Sequence, residues 1–408
     1  MQAVATRMPA TEAQERLVAF VGAVALGMAH VRQRENALIY VRGLIEHGGR
    51  KSLQPTLFRL GADAARYESV QQFLADSPWD PDELVRACAE RVVPALAPAA
   101  WVIDDTGFPK DGVRSPGVKR QYSGTLGKVG NCQIGVSLHA VGFAGTAPLG
   151  WALYLPEEWA GDPERRARAK IPASVGFATK PELAGTLVAR ASGWEIPAAP
   201  VLGDQAYGDS AELRTRLHQD GSEYVLSISG ATGLFTPETV FAVPEQGSGR
   251  GRPPSVARPD RRPEAAAGLA RRLAPQTLRQ IAFTTGPRGQ SRSGRFAFLR
   301  VSAAHPILRD HLAAREEWLL VEWPEGAASP SDLWLSNLPP DTPPERLAQL
   351  ARLRWAVELD YRQLKGELGL DHYEGRSYAG WHHHCALVTA AHAFLTEERL
   401  CPPARRPA

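Results

Sequence analysis

Hydrophobic residues in the first part of the chain recur every three or four positions, which is the spacing of amphipathic helices. Two such series stand near the N-terminus: Leu17, Phe20, Val24 and Met28, then Leu38, Val41, Leu44 and Ile45. A third stretch with helical spacing stops at Ser77 and Pro78, and a fourth runs from Asp82 to Leu96. Because no strand-like alternation interrupts them, the pattern predicts an all-helical N-terminal domain over residues 1–97.

From about Pro98 onward the pattern changes to short apolar runs that are bounded by turn residues. The runs that predict strands are Trp101–Ile103, Gly130–Gly142, Ala147–Pro156, Pro200–Gly203 and Tyr224–Ser229, and the predicted helices are Lys180–Ser192 and Ser210–Gln219. Three strands, a helix, a strand, a helix and a strand is the order of an RNase H-like core. The sequence therefore predicts an α/β fold with a mixed sheet flanked by helices.

Two of these apolar runs end in carboxylates. Asp104 and Asp105 follow the first run, before a turn predicted at Thr106–Pro109, and Asp204 follows the run that ends at Gly203. Acids at the ends of two neighbouring strands predict one shared site, and an oxygen-only ligand set favours a hard divalent cation. We therefore expect Mg²⁺ as the cofactor, with Mn²⁺ able to replace it.

Residues 230–337 are irregular in pattern and rich in arginine, and they predict a partly β insertion in the core. Strand-like pieces lie at Arg295–Val301, Trp318–Trp323 and Leu333–Leu335. Interspersed proline and glycine predict that the first half of the insertion lacks a packed core. The stretch Gly249–Pro254, GRGRPP, either enters a minor groove or is a solvated linker.

One long helix is predicted after the insertion. Residues Thr342–Glu345 have the pattern of a capping box, and a continuous apolar stripe follows. Arg354, Glu358 and Lys365 are spaced by four and seven residues, so they lie on one face of that helix. Spacing alone leaves two interpretations open: Glu358 reaches a site on the sheet, or the three form a surface ion-pair ladder. These patterns divide the chain into residues 1–97, 98–229, 230–337, 338–397 and a tail over 398–408.

The net charge of +3 over 408 residues does not by itself argue for binding of nucleic acid. Positive charge is, however, concentrated locally. Lys119, Arg120 and Lys128 lie among glycines, in a stretch predicted to be a flexible basic loop beside the first carboxylates. Basic residues among the N-terminal helices, such as Arg42 and Arg59, favour a DNA-recognition module. A helical cap that only packs on the core is the alternative.

Cysteine usage and hydropathy indicate a cytoplasmic protein. Cys88, Cys132, Cys385 and Cys401 form no CxxC pair, so they are expected to be reduced thiols. The longest apolar run, Leu17–Met28, is too short to span a bilayer, and the N-terminus lacks a signal-peptide pattern. No membrane association is expected.

The triplet His382–His384 invites a metal interpretation. Adjacent residues on a helix point about 100° apart, so three in a row cannot converge on one ion. Phosphate contact and helix packing are the two remaining interpretations.

Two motifs around the predicted acids resemble those of DDE-type bacterial insertion-sequence transposases. Asp104-Asp105-Thr106 is similar to the D-x-T/S strand end of that group, and Asp204–Tyr207 is similar to its D-x-x-Y/F motif. Further segments resemble the insertion-sequence 701 branch: RKSLQP, QQFLADSPWD, IDDTGFPK, RQYSGTLGK, LGLDHYEGR and GWHHH. The resemblance extends from about Leu38 to Leu395.

The third motif lies on the long predicted helix. Arg354, Glu358 and Lys365 resemble the R-E-K part of the signature of the IS-four group. Ala351 stands where that group has tyrosine, which suggests a sister branch. Glu374 is a rival to Glu358, but it follows Gly369 in a predicted turn and lacks the Arg and Lys neighbours.

The resemblance implies an RNase H-like fold with a β insertion before the last catalytic residue. It also implies that Asp104, Asp204 and Glu358 are the catalytic and metal-binding acids, because only Asp104 stands two residues before Thr106. Asp105 is then expected to support the loop by pairing with Lys110.

The activity that the resemblance implies is DNA cutting and joining at the ends of an insertion sequence. Double-stranded DNA at element ends and target DNA are then the partners, and a homodimer is expected on DNA, associated with the nucleoid. The residues expected to contact DNA are Lys110, Lys119, Arg120, Lys128, Arg354 and Lys365. Two other functions stay open: a domesticated DNA-binding protein that no longer cuts, and an RNase H-like nuclease that cleaves without joining.

Overall fold

A computed structural model describes residues 10–46, 48–243, 255–285, 290–310 and 314–400. Its contacts divide the chain into two compact units. The first unit comprises residues 1–98, 104–197 and 356–408, and the second comprises residues 99–103 and 198–355. The chain thus passes between the units several times, and the five-segment division predicted from sequence stays a prediction.

The helices are α1 (Ala10–Val24), α2 (Val31–Ile45), α3 (Leu53–Arg59), α4 (Ala64–Ala75), α5 (Pro81–Leu96), α6 (Glu157–Ala160), α7 (Pro163–Arg168), α8 (Lys180–Ser192), α9 (Gln205–Gly208), α10 (Ala211–Gln219), α11 (Ala266–Leu273), α12 (Ala304–Asp310), α13 (Pro344–Leu353), α14 (Ala356–Gly366) and α15 (Tyr378–Leu400). The strands are β1 (Ala100–Pro109), β2 (Lys119–Ser123), β3 (Lys128–Gly142), β4 (Gly145–Leu153), β5 (Val201–Gly203), β6 (Tyr224–Ser227), β7 (Gly233–Phe235), β8 (Phe241–Ala242), β9 (Arg258–Pro259), β10 (Glu264–Ala265), β11 (Arg279–Thr285), β12 (Gln290–Ala303), β13 (Glu317–Glu322) and β14 (Asp332–Ser336).

The described N-terminal residues up to Leu96 form helices only, as predicted. Asp63 caps α4 through the backbone N–H of Arg66, and Asp80 caps α5, whose first residue is a proline. These helices pack with α15, whose central turns are buried along most of their length. None of the helices in the described residues is long and apolar enough to cross a membrane.

The histidine triplet takes part in this helix packing. His383 places Nδ1 2.8 Å from the carbonyl oxygen of Leu74 and Nε2 3.1 Å from that of Trp79. His384 Nδ1 lies 2.9 Å from the hydroxyl of Tyr40. Helix packing is therefore the correct interpretation for these two residues.

The sheet of the first unit contains β2, β3, β4 and the second half of β1. β3 pairs antiparallel with both β2 and β4. The flexible loop predicted around Lys119 and Lys128 is wrong, because these residues lie on the two strands of a β-hairpin. Alternation along β2 and β3 is weak among the many polar residues and glycines, so the sequence gives little strand signal there.

Strand β1 does not end at Asp104, and the turn predicted at Thr106–Pro109 is wrong. The strand continues because the β2–β3 hairpin supplies hydrogen-bond partners: the N–H of Gly107 donates to Thr125 Oγ1 at 3.1 Å. A Cβ at Gly107 would lie 2.0 Å from Ser123 Oγ, so glycine is required there by this close approach. Gly107 therefore marks strand contact rather than a turn.

In the second unit, the first residues of β1 belong to a larger mixed sheet. Trp101 and Val102 pair in parallel with Val201 and Leu202 of β5, and β5 pairs in parallel with β6. Strand β14 then pairs antiparallel with β6, and β13 and β12 follow. The three strands predicted in the insertion are confirmed as parts of β12, β13 and β14, and they extend the core sheet.

The first half of the insertion contains a packed core, contrary to the prediction. Helix α11 buries Ala266, Leu269 and Ala270 in a cluster with Leu319 and Val321 of β13. Alanine side chains bury well at helical spacing, although they carry little hydrophobic signal between proline-rich stretches. The GRGRPP stretch lies outside the described residues.

The long helix predicted after the insertion is two helices, α13 and α14, with a break at Arg354 and Trp355. The break coincides with the passage of the chain from the second unit to the first. Each half packs on the strands of its own unit, α13 on β5, β6 and β11, and α14 on β3 and β4. The capping box is also wrong, because Pro343 holds the N-cap position and no side chain caps the helix.

The fold class is confirmed as α/β with an RNase H-like core. In the first unit β3 and β4 pair antiparallel, and in the second unit the first residues of β1 pair in parallel with β5, which pairs in parallel with β6. The five predicted strands and the predicted helices at α8 and α10 occur in the predicted order, and β2, α6, α7 and α9 occur in addition.

Candidate active site

Asp104 and Asp105 lie in the middle of β1 and point to opposite faces of the sheet. Asp105 makes an ion pair of 2.9 Å with Lys180 at the start of α8. The predicted pairing of Asp105 with Lys110 is therefore wrong. Side chains alternate along β1, and Asp105 is on the face that is covered by α8. Lys110 lies beyond the end of β1 and contacts Tyr373 instead.

Lys110 is directed into the protein. Its ammonium donates to the carbonyl of Tyr373, and burial lowers the pKa of Lys110 below its ordinary value. Asn131 donates from its side-chain amide to the carbonyl oxygen of Lys110 at 2.6 Å, which holds this end of β1 against β3. The environment of Lys110 is thus that of a half-buried structural lysine.

Asp104 is half-buried and accepts a hydrogen bond of 2.8 Å from the backbone N–H of Asp105. On its face of the sheet stands Tyr361 of α14, whose hydroxyl lies 2.5 Å from Ser137 Oγ. Burial, and then the negative charge of Asp104, raise the pKa of Tyr361 well above its ordinary value. Asp104 thus faces the helix that carries Glu358, whereas Asp105 faces α8.

Glu358 lies in the first turn of α14 and its side chain is exposed. Tyr361 and Lys365 follow it by three and seven residues, which places all three on neighbouring positions of one helical face. Lys365 stands 5.7 Å from the centre of the Phe108 ring, and Phe108 shares a strand face with Asp104, so this face of α14 is directed toward β1. Within the first unit, Asp104 and Glu358 therefore belong to the same side of the sheet.

Lys365 fixes the other end of this helical face. Its ammonium donates to the carbonyl of Gly107 at 2.7 Å and to Thr125 Oγ1 at 3.1 Å, and it stands 5.7 Å from the centre of the Phe108 ring. Burial lowers the pKa of Lys365 to about 8, although the nearby Asp371 acts in the opposite direction. A lysine ammonium has three donors, so one remains for a phosphate.

Arg354 does not share a helix with Glu358 and Lys365. It lies at the C-terminal end of α13, in the second unit, so the prediction of one face for all three residues is wrong. Glu358 and Lys365 do share α14. The spacing argument failed because it assumed that the helix is continuous.

Asp204 directly follows β5 in the second unit and caps the short helix α9, accepting from the backbone N–H of Ala206 at 2.9 Å. Tyr207 is fully buried. A Cβ at Gly208 would lie 1.7 Å from the carbonyl oxygen of Ser227, so glycine allows α9 to sit against β6. Asp204 is thereby held half-buried at the strand end, as the sequence predicts.

The remaining basic residues predicted to contact DNA lie on the β2–β3 hairpin. Lys119, Arg120 and Lys128 are exposed, and Lys119 makes an ion pair of 3.1 Å with Glu158. Tyr122, two residues after Arg120 on the same strand face, is 64% exposed. The hairpin therefore presents cations and an aromatic ring to solvent in one strand pair.

Sequence reasoning missed a buried polar network under α14. Asp360 is only 3% exposed, and its carboxylate accepts from Thr146 Oγ1 at 2.8 Å and lies 2.5 Å from His139 Nδ1. His392 Nε2 lies 2.9 Å from the same carboxylate, and His139 Nε2 lies 2.9 Å from Ser137 Oγ. The one feature of the sequence that indicated this network was a histidine, His139, within the long apolar run of β3.

The oxygen donors of Asp104, Asp204 and Glu358 fit a hard cation such as Mg²⁺ by their chemistry. In the part of the chain that the structure describes, no three His, Cys, Asp or Glu side chains are grouped as a metal site. The cysteines Cys88, Cys132 and Cys385 are free and buried, so a thiolate site is not built from them.

Comparison with known proteins identifies relatives of this chain. A curated relative, the probable transposase for insertion sequence element IS701 of Microchaete diplosiphon, is 31% identical over 172 residues. That alignment covers 42% of this chain and 42% of the relative, so the chain matches less than half of its length. A cryo-EM structure of the piggyBac transposase synaptic complex with hairpin DNA has a TM-score of 0.37 and 12% identity, over 94% of this chain and 73% of that one.

A family model described as DDE superfamily endonuclease matches residues 25–290. The match includes Asp104 and Asp204, and Glu358 lies beyond its end. It covers well over half of the 408 residues. This protein therefore belongs to the DDE superfamily endonuclease family.

Proposed function

We propose that the protein is a DNA transposase that cuts and joins DNA at the ends of an insertion sequence. Asp104, Asp204 and Glu358 act as its catalytic triad and hold two Mg²⁺ ions. Family membership supports the endonuclease chemistry, and similarity to the probable IS701 transposase supports transposition. The DNA partners are element ends and target DNA, and the protein acts on them as a homodimer.

The observation that carries the proposal is the placement of α14 over β1. Lys365 donates to the carbonyl of Gly107 and stands 5.7 Å from the centre of the Phe108 ring, so the Glu358 face of the helix follows the strand that bears Asp104. The position of Asp204 directly after β5, together with the D-x-x-Y motif, supports it as the third member. Glu374 is less suited, because it is exposed and pairs with Arg50.

The chemistry is phosphodiester transfer. A water or a 3′-hydroxyl attacks phosphorus, a new P–O bond forms, and the bond to the leaving oxygen breaks. Two Mg²⁺ ions, when bound, would supply positive charge to the attacking and the leaving oxygen of such an in-line displacement. Asp104 on β1, Asp204 directly after β5 and Glu358 on α14 would hold the ions, and Lys365 would hold a phosphate as a point charge.

The test is a reaction of the purified protein with the DNA that flanks its own gene, with Mg²⁺ present and all products sequenced. Cleavage at the element ends together with joining to a target supports transposition. Cleavage without joined products would leave an RNase H-like nuclease, and binding without cleavage would leave a domesticated DNA-binding protein.

Removal of divalent cations should stop the reaction without unfolding the protein. The predicted ligands are carboxylates on separately folded elements, so the fold does not depend on the metal. We expect activity with Mg²⁺ or Mn²⁺, none in excess chelator, and the same thermal unfolding temperature in both conditions. Robust cleavage in chelator would contradict the assignment.

Lys365 should contribute to DNA binding only while its ammonium is charged. Its pKa is lowered to about 8, so it is mainly protonated at pH 7 and mainly neutral at pH 9. Each neutralised phosphate changes the slope of log affinity against log salt by about 0.9. We expect Lys365→Ala to reduce that slope by about 0.9 at pH 7 and to leave it unchanged at pH 9.

Salt titrations of binding to one duplex, followed by fluorescence anisotropy at both pH values, measure this change. Lys128→Ala is the matched control, because Lys128 is an exposed lysine of the first unit that lies on the β2–β3 hairpin and not on α14. A pH-independent effect of Lys365→Ala would contradict the prediction.

A further inference from the structure

A cavity of about 500 Å³ opens in the first unit between helices α3 and α4 and two loops. One loop begins at the end of α7, with Arg168 and Lys170, and the other precedes α15 and runs from His372 to Ser377. The floor of the cavity is aromatic and aliphatic: Tyr40, Leu53, Leu74 and Tyr373. A volume of this size is typical of sites for small ligands, about 300–1,000 Å³.

Hydrogen bonds join the walls, so the cavity is formed before a ligand arrives. Ser377 Oγ donates to the carbonyl oxygen of Ala75 at 2.9 Å, and the N–H of Tyr378 donates to that of Ala169 at 2.8 Å. Lys170 has a φ of 53°, a left-handed conformation that residues other than glycine seldom adopt. Such strain is concentrated at functional positions.

The polar side chains of the rim are available to a ligand. Gln54, Gln71 and Arg376 are exposed and Tyr67 is half-buried. Among the contacts of the described residues, none of these four side chains has a hydrogen bond or an ion pair. Amide, phenol and guanidinium groups thus surround an apolar floor with their donors and acceptors unused.

The charge of the rim is positive. Asp76 pairs with Lys170, and Glu374 pairs with Arg50, so both acids are neutralised. Arg168 and Arg376 have no carboxylate within ion-pair distance among the described residues. The cavity therefore combines an apolar lining with two uncompensated guanidinium groups, which bind phosphate as a fork.

We propose that this cavity binds one unpaired nucleotide of the DNA on which the protein acts, an inference that rests on the proposed DNA substrate. The base lies on the apolar floor, where stacking and burial stabilise it, and the glutamine amides bond to its edge. Arg168 and Arg376 hold the adjoining phosphates. A paired base cannot enter, because a duplex presents only base edges within its grooves.

The test compares two DNA ligands of equal length, a blunt duplex and a duplex with a three-nucleotide single-stranded end. Binding of the full-length protein is measured by fluorescence anisotropy at one salt concentration, without divalent cations. We expect the single-stranded end to bind about tenfold more tightly, as base stacking in other proteins implies. Gln71→Ala and Arg376→Ala together should remove this preference and leave the affinity for the blunt duplex within about twofold.

Arg86→Ala is the control for loss of one exposed guanidinium, because Arg86 lies on α5 and does not line the cavity. It should retain the preference for the single-stranded end. Equal binding of both ligands by a protein that cleaves DNA with Mg²⁺ would overturn the cavity inference alone. Loss of affinity for both ligands in the double variant would also overturn it, by showing a general phosphate contact. Failure to bind either DNA would instead overturn the proposed function.

Discussion

Asp104→Asn will abolish DNA cleavage and leave DNA affinity within about twofold of the wild type. The substitution preserves side-chain size and removes the negative charge that a cation requires. Loss of such a ligand costs several kcal/mol of transition-state stabilisation, which corresponds to about three orders of magnitude in rate. Gel assays of labelled element-end DNA measure cleavage, and anisotropy measures binding.

Asp105→Asn is the matched control, because it removes a carboxylate from the next residue of the same strand. Asp105 faces α8 and pairs with Lys180, so its loss breaks a partly exposed ion pair, worth about 1 kcal/mol or less. Cleavage by this variant should stay within about threefold of the wild type. If Asp105→Asn is inactive and Asp104→Asn is active, the assignment of the two aspartates is reversed.

The same comparison applies to the other two acids. Asp204→Asn and Glu358→Gln should be as inactive as Asp104→Asn, and Glu374→Gln should cleave normally because Glu374 pairs with Arg50 on the surface. The Glu358 variant is the sharper test, because the family match ends before that residue. Near-normal cleavage by Glu358→Gln would remove it from the site.

The parts of the core with strong periodicity were predictable from sequence. The helix over residues 180–192 and the strand that ends before Asp204 were predicted where the structure has them, because their apolar spacing and end signals agree. Two predicted boundaries near the site are wrong. Strand β1 extends past Asp104, where the β2–β3 hairpin contacts it, and the predicted helix breaks at Arg354, where the chain passes from the second unit to the first.

The candidate site was predictable only in its residue types. Acids that end apolar runs carry a local signal, whereas the direction of each acid depends on which helix covers its side of the sheet. Alternation separates Asp104 from Asp105 but cannot tell which one faces α8. Two of the partners of Asp360, Thr146 and His139, lie 214 and 221 residues away in the chain, so no local pattern could have found them.

Asp360→Ala should destabilise the protein by about 3–5 kcal/mol at pH 7, because removal of one partner leaves the others buried and unsatisfied. Asp360 contacts His139 and His392, whose side chains are closed to solvent, and the half-buried Thr146. Burial alone would raise the pKa of Asp360, but the charges and hydrogen bonds of the two histidines lower it far below its ordinary value. Urea unfolding followed by circular dichroism measures the free energy of unfolding.

The direction of that pKa shift sets the pH range in which the difference should appear. A carboxyl whose pKa is lower in the folded state stabilises the protein above its unfolded pKa of about 4, and this contribution disappears only as pH falls toward the folded value. The difference in the free energy of unfolding between Asp360→Ala and the wild type should therefore persist from pH 7 to about pH 5 and become smaller below pH 4. Glu367→Ala, which removes an exposed acid from the segment just after α14, should change stability by no more than about 0.5 kcal/mol. An equally small effect of Asp360→Ala would show that the network does not hold α14, and hence Glu358, against the sheet.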